Sequence, residues 1–273
     1  TLDKIFEETI DLDEGYLEVT AQMPLRGFEF LGGTEAYHAM TAQPVYGTAR
    51  LVSPHFFASR SGGSTLRLLN VGDREVTGTL TGYTDNGEVM GTAELDVGAH
   101  KLYRRSVTEL LEIDTSKLGA NENLIGYLTV EMTDGTHHLP KVIGTLTFQG
   151  NSGKWLSTLP LLSRGKNRTL FLHVAQSAEV KMFTGLAILN AGHAEATVTV
   201  EVYDEDGNQS AKKEFEIAAG SRVVDVLAGP RFFGSGFSQV KGHIKVLSDL
   251  PVMSFALFGH NDQRFMSAIE GQE

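Results

Sequence analysis

The feature that most constrains this chain is a self-match at a spacing of 120 residues. That shift lays Leu66-Arg67-Leu68-Leu69-Asn70-Val71-Gly72 on Leu186-Ala187-Ile188-Leu189-Asn190-Ala191-Gly192, and Tyr83-Thr84-Asp85-Asn86-Gly87 on Tyr203-Asp204-Glu205-Asp206-Gly207, without a gap. It continues from Leu95-Asp96-Val97 onto Phe215-Glu216-Ile217. Upstream, Arg50 and His55 match Arg168 and His173. The later half of the unit occurs a third time. Gly15-Tyr16-Leu17-Glu18-Val19 matches Gly126-Tyr127-Leu128-Thr129-Val130 and Gly242-His243-Ile244-Lys245-Val246. Each copy then runs through an apolar strand to a glycine (Phe28 to Gly32, Thr145 to Gly150, Phe255 to Gly259), and a last short strand follows (Met40-Thr41-Ala42, Leu156-Ser157-Thr158, Met266-Ser267-Ala268). A chain that repeats itself in this way takes the fold class of its unit.

The unit reads as β. Thr197-Val198-Thr199-Val200-Glu201-Val202-Tyr203 alternates branched apolar and polar residues with the period of a half-buried strand. Thr77 to Tyr83 is its counterpart, with Gly78 and Gly82 at two apolar positions, where a bulge or close backbone approach is expected. Asp85-Asn86-Gly87 and Asp206-Gly207 predict type I′ hairpins into the strands Val89 to Val97 and Ala211 to Ile217. Ser106-Val107-Thr108-Glu109 is a capping-box sequence before Leu110-Leu111. It predicts a helical turn, with poorer equivalents around Asp225-Val226-Leu227 and Asp3-Lys4-Ile5-Phe6. About eight short strands per unit, with turn signals between them, predict an antiparallel β-sandwich. A propeller of four-stranded blades is the alternative. The expected organisation is all-β, with residues 1–48 the C-terminal part of a first repeat, 49–165 a full sandwich repeat and 166–273 a second, each with one short helical turn. An alternative phase divides the chain at 1–120 and 121–235, leaving 236–273. In either phase some strands lack their own unit, and unpaired edges invite association.

Composition narrows the function classes. The net charge of −11 argues against nucleic acid as a partner, because polyanions are bound by clustered Lys and Arg. The short basic groups, Lys101 to Arg105 and Lys212-Lys213, sit among acids. No apolar run approaches the ~18 residues of a membrane span. The chain opens at Thr1 rather than Met and is read as a processed or excised fragment. With zero cysteines it has no disulfides, thiolate metal sites or cysteine catalysis.

Chemical motifs are broken where they occur. Gly-x-Ser-x-Gly and His-Glu-x-x-His are absent. Gly150-Asn151-Ser152-Gly153-Lys154 hints at a phosphate loop, but Phe148 replaces its first glycine and Trp155 follows the lysine; a hairpin turn is expected. Asp204-x-Asp206-x-Asn208 has the spacing of a calcium loop, but Gln209 and Phe215 occupy the obligatory glycine and glutamate positions. Asp114-Thr115-Ser116 only approximates an aspartic protease triplet. His137-His138, in a five-residue excess of the first full repeat, would point to opposite faces of a strand and lack a third metal ligand. His55 and His173 recur and are expected to serve the fold. Trp155 is expected as a core or inter-domain plug, or alternatively as a sugar-stacking platform with Tyr127 and the loop 131–139. No catalytic residue, metal site or cofactor is predicted. Trp155, Tyr127, His137 and His138 are the candidate ligand-binding residues.

The stretch Thr184 to Asn190, followed by Ala196 to Gly207, resembles repeats of exported bacterial proteins with an immunoglobulin-like or fibronectin-like pattern, mostly without an assigned activity. The later Gly-Tyr-Leu-x-Val and proline-led strand are similar to the tail of those repeats. The resemblance covers nearly the whole chain and implies an immunoglobulin-like sandwich, extracellular or at the cell surface. The expected function is non-enzymatic, spacing or adhesion through contact with a surface protein or glycan. A carbohydrate-binding module, or a hydrolase whose fold brings two carboxylates together, are the alternatives.

Overall fold

The computed structural model describes residues 15–23, 27–32, 37–43, 48–136, 138–262 and 265–272. The chain is almost entirely antiparallel β-structure. The strand Ala196–Tyr203 shows why: Ala196, Val198, Val200 and Val202 are buried, whereas Thr197 and Thr199 face outward, as a period of two requires.

β1 (Phe28–Gly32) and β2 (Tyr37–Thr41) form a two-stranded antiparallel ladder. Residues 50–160 form two four-stranded sheets. One has the order β6 (Val89–Val97), β5 (Val76–Tyr83), β8 (Leu124–Thr133), β3 (Arg50–Ser59). The other has the order β7 (Leu102–Ser106), β4 (Gly62–Asn70), β9 (Val142–Gly150), β10 (Leu156–Pro160). A short β3–β4 hairpin, pairing Ala58 with Gly63, joins them at a corner. Leu66, Leu68, Leu146 and Phe148 from one sheet share a buried core with Phe56, Leu80, Leu128 and Val130 from the other. Two sheets facing each other across one core make a sandwich.

Residues 166–270 pair in the same order. β15 (Gln209–Ile217), β14 (Ala196–Tyr203), the first half of β18 (His243–His260) and β11 (Lys166–Phe171) make one sheet. β16 (Arg222–Val226), β13 (Met182–Leu189), the second half of β18 and β19 (Met266–Glu270) make the other. β12 (Ala175–Gln176) pairs with β17 (Gln239–Val240) beside them. The single long β18 does the work of β8 and β9. In the first sandwich the loop 134–141 intervenes, with the five extra residues.

Asn70 and Asn190 explain the most exact part of the self-match. Each is fully buried at the end of its strand. Asn70 Nδ2 donates to Arg74 O (2.7 Å) and Val97 O (3.0 Å), and its Oδ1 accepts from Gly72 N (3.0 Å). Asn190 does the same with Ala194 O (2.7 Å), Ile217 O (2.9 Å) and Gly192 N (3.0 Å). One amide thereby ties two turns together with its own donor and acceptor both satisfied.

Three local expectations are corrected. The hairpin tips are not type I′. Gly87 and Gly207 have φ of 82° and 83°, but no other tip residue has positive φ, and a register shift follows at Tyr83 and Tyr203. That is a type I turn closed by a glycine bulge. A helical turn forms in the first sandwich alone: α1 (Val107–Leu110), capped by Ser106 Oγ accepting from Glu109 N. In the second, Asp225 accepts from Val226 N (2.8 Å) and Arg231 N (3.1 Å), and Gly229-Pro230 keeps the segment in irregular turns. The segment Gly15 to Val19, matched to β8, is not a strand, and its apolar side chains are exposed. Its counterparts are strands because each is hydrogen-bonded on both sides. The helical signal at Asp3 to Phe6 lies outside the described residues.

The sheet β16-β13-β18-β19 is buried on both faces. Leu186, Ile188 and Ala256 face its own core, and Ala187 and Phe255 belong to the core of the first sandwich. Leu189 and Met253 join Val52 and Tyr127 in a third cluster.

Candidate functional site

The apolar docking just described would tolerate sliding, since hydrophobic burial has no direction. What fixes it is Arg222, the first residue of β16, whose side chain is 0% exposed. Its backbone N–H donates to Asp85 O (2.8 Å) and its Nε to Asp85 Oδ1 (2.7 Å). Nη1 reaches Pro54 O (2.9 Å), Gly126 O and His55 Nδ1 (3.0 Å). Asp85 is held from its other side by Arg231 (3.4 Å). One guanidinium from the second sandwich therefore draws together three separate segments of the first.

The electrostatics follow from that geometry. A guanidinium only donates, so the His55 nitrogen facing it is the unprotonated one. Burial, reinforced by the Arg222 charge, pushes the His55 pKa well below its ordinary value. Its ring lies against both Phe148 (5.9 Å) and Phe255 (5.7 Å), which stack on each other at 6.0 Å. Burial also lowers the Arg222 pKa, against the pull of Asp85. Arg222 Nη2 is buried without a hydrogen-bond partner among the described residues.

A second contact sits beside it. Tyr127 stacks on Tyr83 (4.7 Å, 9° between planes), and its hydroxyl donates to Gly220 O (2.6 Å) across the joint. Burial, with Tyr83 adding to it, raises the Tyr127 pKa to about 12. Gly87 is required twice over, since its φ is positive and a Cβ would come within 2.6 Å of Gly220 O.

This cluster holds surfaces together. His55 is half-buried with its facing lone pair engaged by Arg222, so that nitrogen lacks the access a general base needs. Two shallow concavities at the rim of the joint leave room for only about 20 and 10 Å³, roughly one water molecule each. Ligand pockets usually measure ~300–1,000 Å³.

The residues singled out from sequence are scattered. Trp155 is 7% exposed, with its ring 5.8 Å from Phe57 and its Nε1 where a Cβ on Gly150 would fall. Tyr127 is 4% exposed and belongs to the joint. Neither presents a ring face to a sugar, so the stacking-platform reading is corrected: sequence shows an aromatic residue but not which sheet covers it. His138 is exposed in the 134–141 loop, its N–H on Thr136 Oγ1 (3.2 Å), and His137 lies outside the described residues. Asp204 accepts from Asp206 N, Asn208 N and Asn208 Nδ2 within its own hairpin tip, and Asp114 caps a short 3₁₀ turn. Gly150 to Lys154 is the β9–β10 turn. Among the described residues no three His, Asp or Glu side chains converge as metal ligands do, and no helix is long and apolar enough to cross a membrane.

Arg222 itself was not singled out. The available signal was a mismatch, since the residue 120 positions earlier is Leu102, so one copy carries a charge where the other is apolar.

No family model and no curated protein matches the sequence. Among solved structures, Thermotoga maritima 1070 is 17% identical, with 40% of this chain and 94% of that chain covered and a TM-score of 0.32. A glycosyl hydrolase family 2 member from Bacteroides cellulosilyticus is 10% identical (81% and 28% covered, TM-score 0.17). A Bacteroides uniformis β-glucuronidase is 12% identical (79% and 25% covered, TM-score 0.15). These likenesses are too low to carry an argument about fold or function.

Proposed function

We propose that the chain is a non-enzymatic structural module, a tandem of immunoglobulin-like sandwich repeats held in fixed relative orientation, acting outside the cell or at its surface as a spacer or adhesive element. The observation that carries this reading is the Arg222 joint. A buried guanidinium held by acceptors from Pro54, Asp85 and Gly126 favours one orientation of the two sandwiches over all others. A spacer needs that property, and single-turnover chemistry does not. Contact with a surface protein or glycan would fall to the loops and sheet edges left free.

The test combines location with activity. Cells are fractionated and treated with a membrane-impermeant label. Labelling of the intact-cell surface or recovery from the medium is expected, and retention in the cytoplasm overturns the placement. Turnover in a broad hydrolase screen overturns the non-enzymatic assignment.

A further inference from the structure

The receptor surface that the first sandwich offers to Arg222 is built again on the second sandwich, where nothing in the structure covers it. Tyr203 stacks on His243 at 4.9 Å and 5°, as Tyr83 stacks on Tyr127 at 4.7 Å and 9°. Beneath each stack a glycine is obligatory. A Cβ on Gly126 would strike Tyr83 O, and one on Gly242 would strike Tyr203 O. His173 lies against Phe258 at 4.3 Å, in the relation of His55 to Phe148, and its Nε2 is buried without a hydrogen-bond partner among the described residues. Glu205 stands where Asp85 stands, engaged by Lys241 (2.8 Å) in a pair with both side chains more than half exposed. Such surface pairs are worth little and exchange readily.

The difference is cover. Leu172, at the position of Pro54, is 71% exposed, and Phe265, at the position of Trp155, is 40% exposed. The way out of the sandwich is also repeated. Val52 and Leu162 exchange backbone hydrogen bonds (2.8 Å each) just before the chain enters the second sandwich, and Leu170 and Gln272 exchange theirs at 2.8 and 2.9 Å. The last strands follow the same course, β10 lying beside β2 and β19 beside β10.

We infer that this end of the second sandwich is a docking site for one further sandwich unit of the same kind, joined on at Gln272. That unit presents an apolar sheet face like that of Ala187 and Phe255, and sets an arginine between His173 and Glu205. The inference rests on the array reading above and adds the partner's chemistry to it. Continuity with the internal joint supplies the geometry, and the acidic tip Asp204-Glu205-Asp206 supplies the charge complement.

The experiment appends a second 163–272 segment after Gln272 of the full chain and follows amide hydrogen exchange. Amides of 172–176 and 239–243 are expected to slow by at least about tenfold, with the gain lost when the appended arginine corresponding to Arg222 becomes glutamate, or in Leu172→Glu. Unchanged exchange, with the appended unit's own core protected, overturns the inference. So does protection that already appears in the unextended chain as concentration rises, which would make a second copy the occupant. If the appended unit does not fold, the full chain decides by a graft of Pro54→Leu, Asp85→Glu and Tyr127→His, which gives the internal joint the second receptor set. The joint's amides are expected to stay within about threefold of wild type, and their opening overturns the inference. Arg222→Glu in the unextended chain separates the two ideas. If it leaves the internal joint's amides unchanged, the rigid-array reading fails first.

Discussion

Arg222 is the residue on which the relation between the two sandwiches turns. Its removal leaves Asp85 to Arg231 alone and takes the guanidinium donor from the carbonyls of Pro54 and Gly126. Leaving buried acceptors without a donor costs about 1–3 kcal/mol, and Arg222→Ala is expected in that range by urea denaturation. Arg222→Lys should recover less than half, because an ammonium cannot fork between acceptors at fixed angles. His55 makes the joint acid-sensitive. Its pKa is depressed in the folded chain, so below its ordinary value of 6.5 the unfolded chain binds the proton that the folded chain refuses. Stability is therefore complete above that value and falls with pH from about 6.5 downward, well before the carboxylates titrate. His55→Gln keeps an acceptor for Arg222 without titrating. It should flatten the decline between about pH 6.5 and 5 in thermal melts, leaving the share of His173, whose pKa burial also lowers.

At the scale of elements, the two sandwiches reach one strand order by different local means. In the first, α1 turns Leu111 down onto the β5–β6 pair, and Gly82 faces Gly91 in register to leave it room. In the second, Val202 and Ala211 fill those positions and no helix is present. Of the two glycines marked in sequence as a close approach, Gly82 is that site and Gly78 is a second, since a Cβ there would strike Glu131 O. Gly82→Val, which copies the second sandwich, should destabilise the first by about 1–3 kcal/mol through overpacking against Leu111. The buried asparagines work identically in both. Asn190→Asp replaces a donor by an acceptor facing Ala194 O and Ile217 O, and a loss of about 1–3 kcal/mol is expected in denaturant melts.

For the whole molecule, the consequence is a fixed angle between two sandwiches. Arg222→Glu places a carboxylate against Asp85, while the apolar surfaces around Phe255 and Met253 remain. Small-angle scattering should show the radius of gyration rising and the maximum dimension lengthening, with each sandwich's far-UV circular dichroism unchanged. An unchanged scattering curve would mean that burial alone sets the orientation. The interior at this level resembles a domain core more than a transient contact, since the first sandwich's core takes in Ala187 and Phe255 from the second. Relative motion of domains is the usual expectation unless the interface is large and hydrophobic, and here two apolar clusters run across the joint.

How much of this was legible beforehand divides along a physical line. Alternation in Ala196–Tyr203, the glycines at the hairpin tips and the Ser106 cap all act within a few residues, so the sequence by itself determined antiparallel β-structure with turns at these places, while it marked Asn70 and Asn190 only as matching and predicted the wrong turn type. It could mark His55 and His173 as recurring without saying what they meet. The pairing of Arg222 with Asp85 spans 137 residues, and the burial of Trp155 depends on which sheet lies over it. Neither leaves a local pattern, because hydrophobic docking has no sequence period and a lone arginine at a strand start looks like any solvated charge. The tertiary structure alone decided that one face of the second sandwich is interior and that a buried guanidinium meets acceptors from three segments of the first there, because both depend on contacts between residues far apart in the chain.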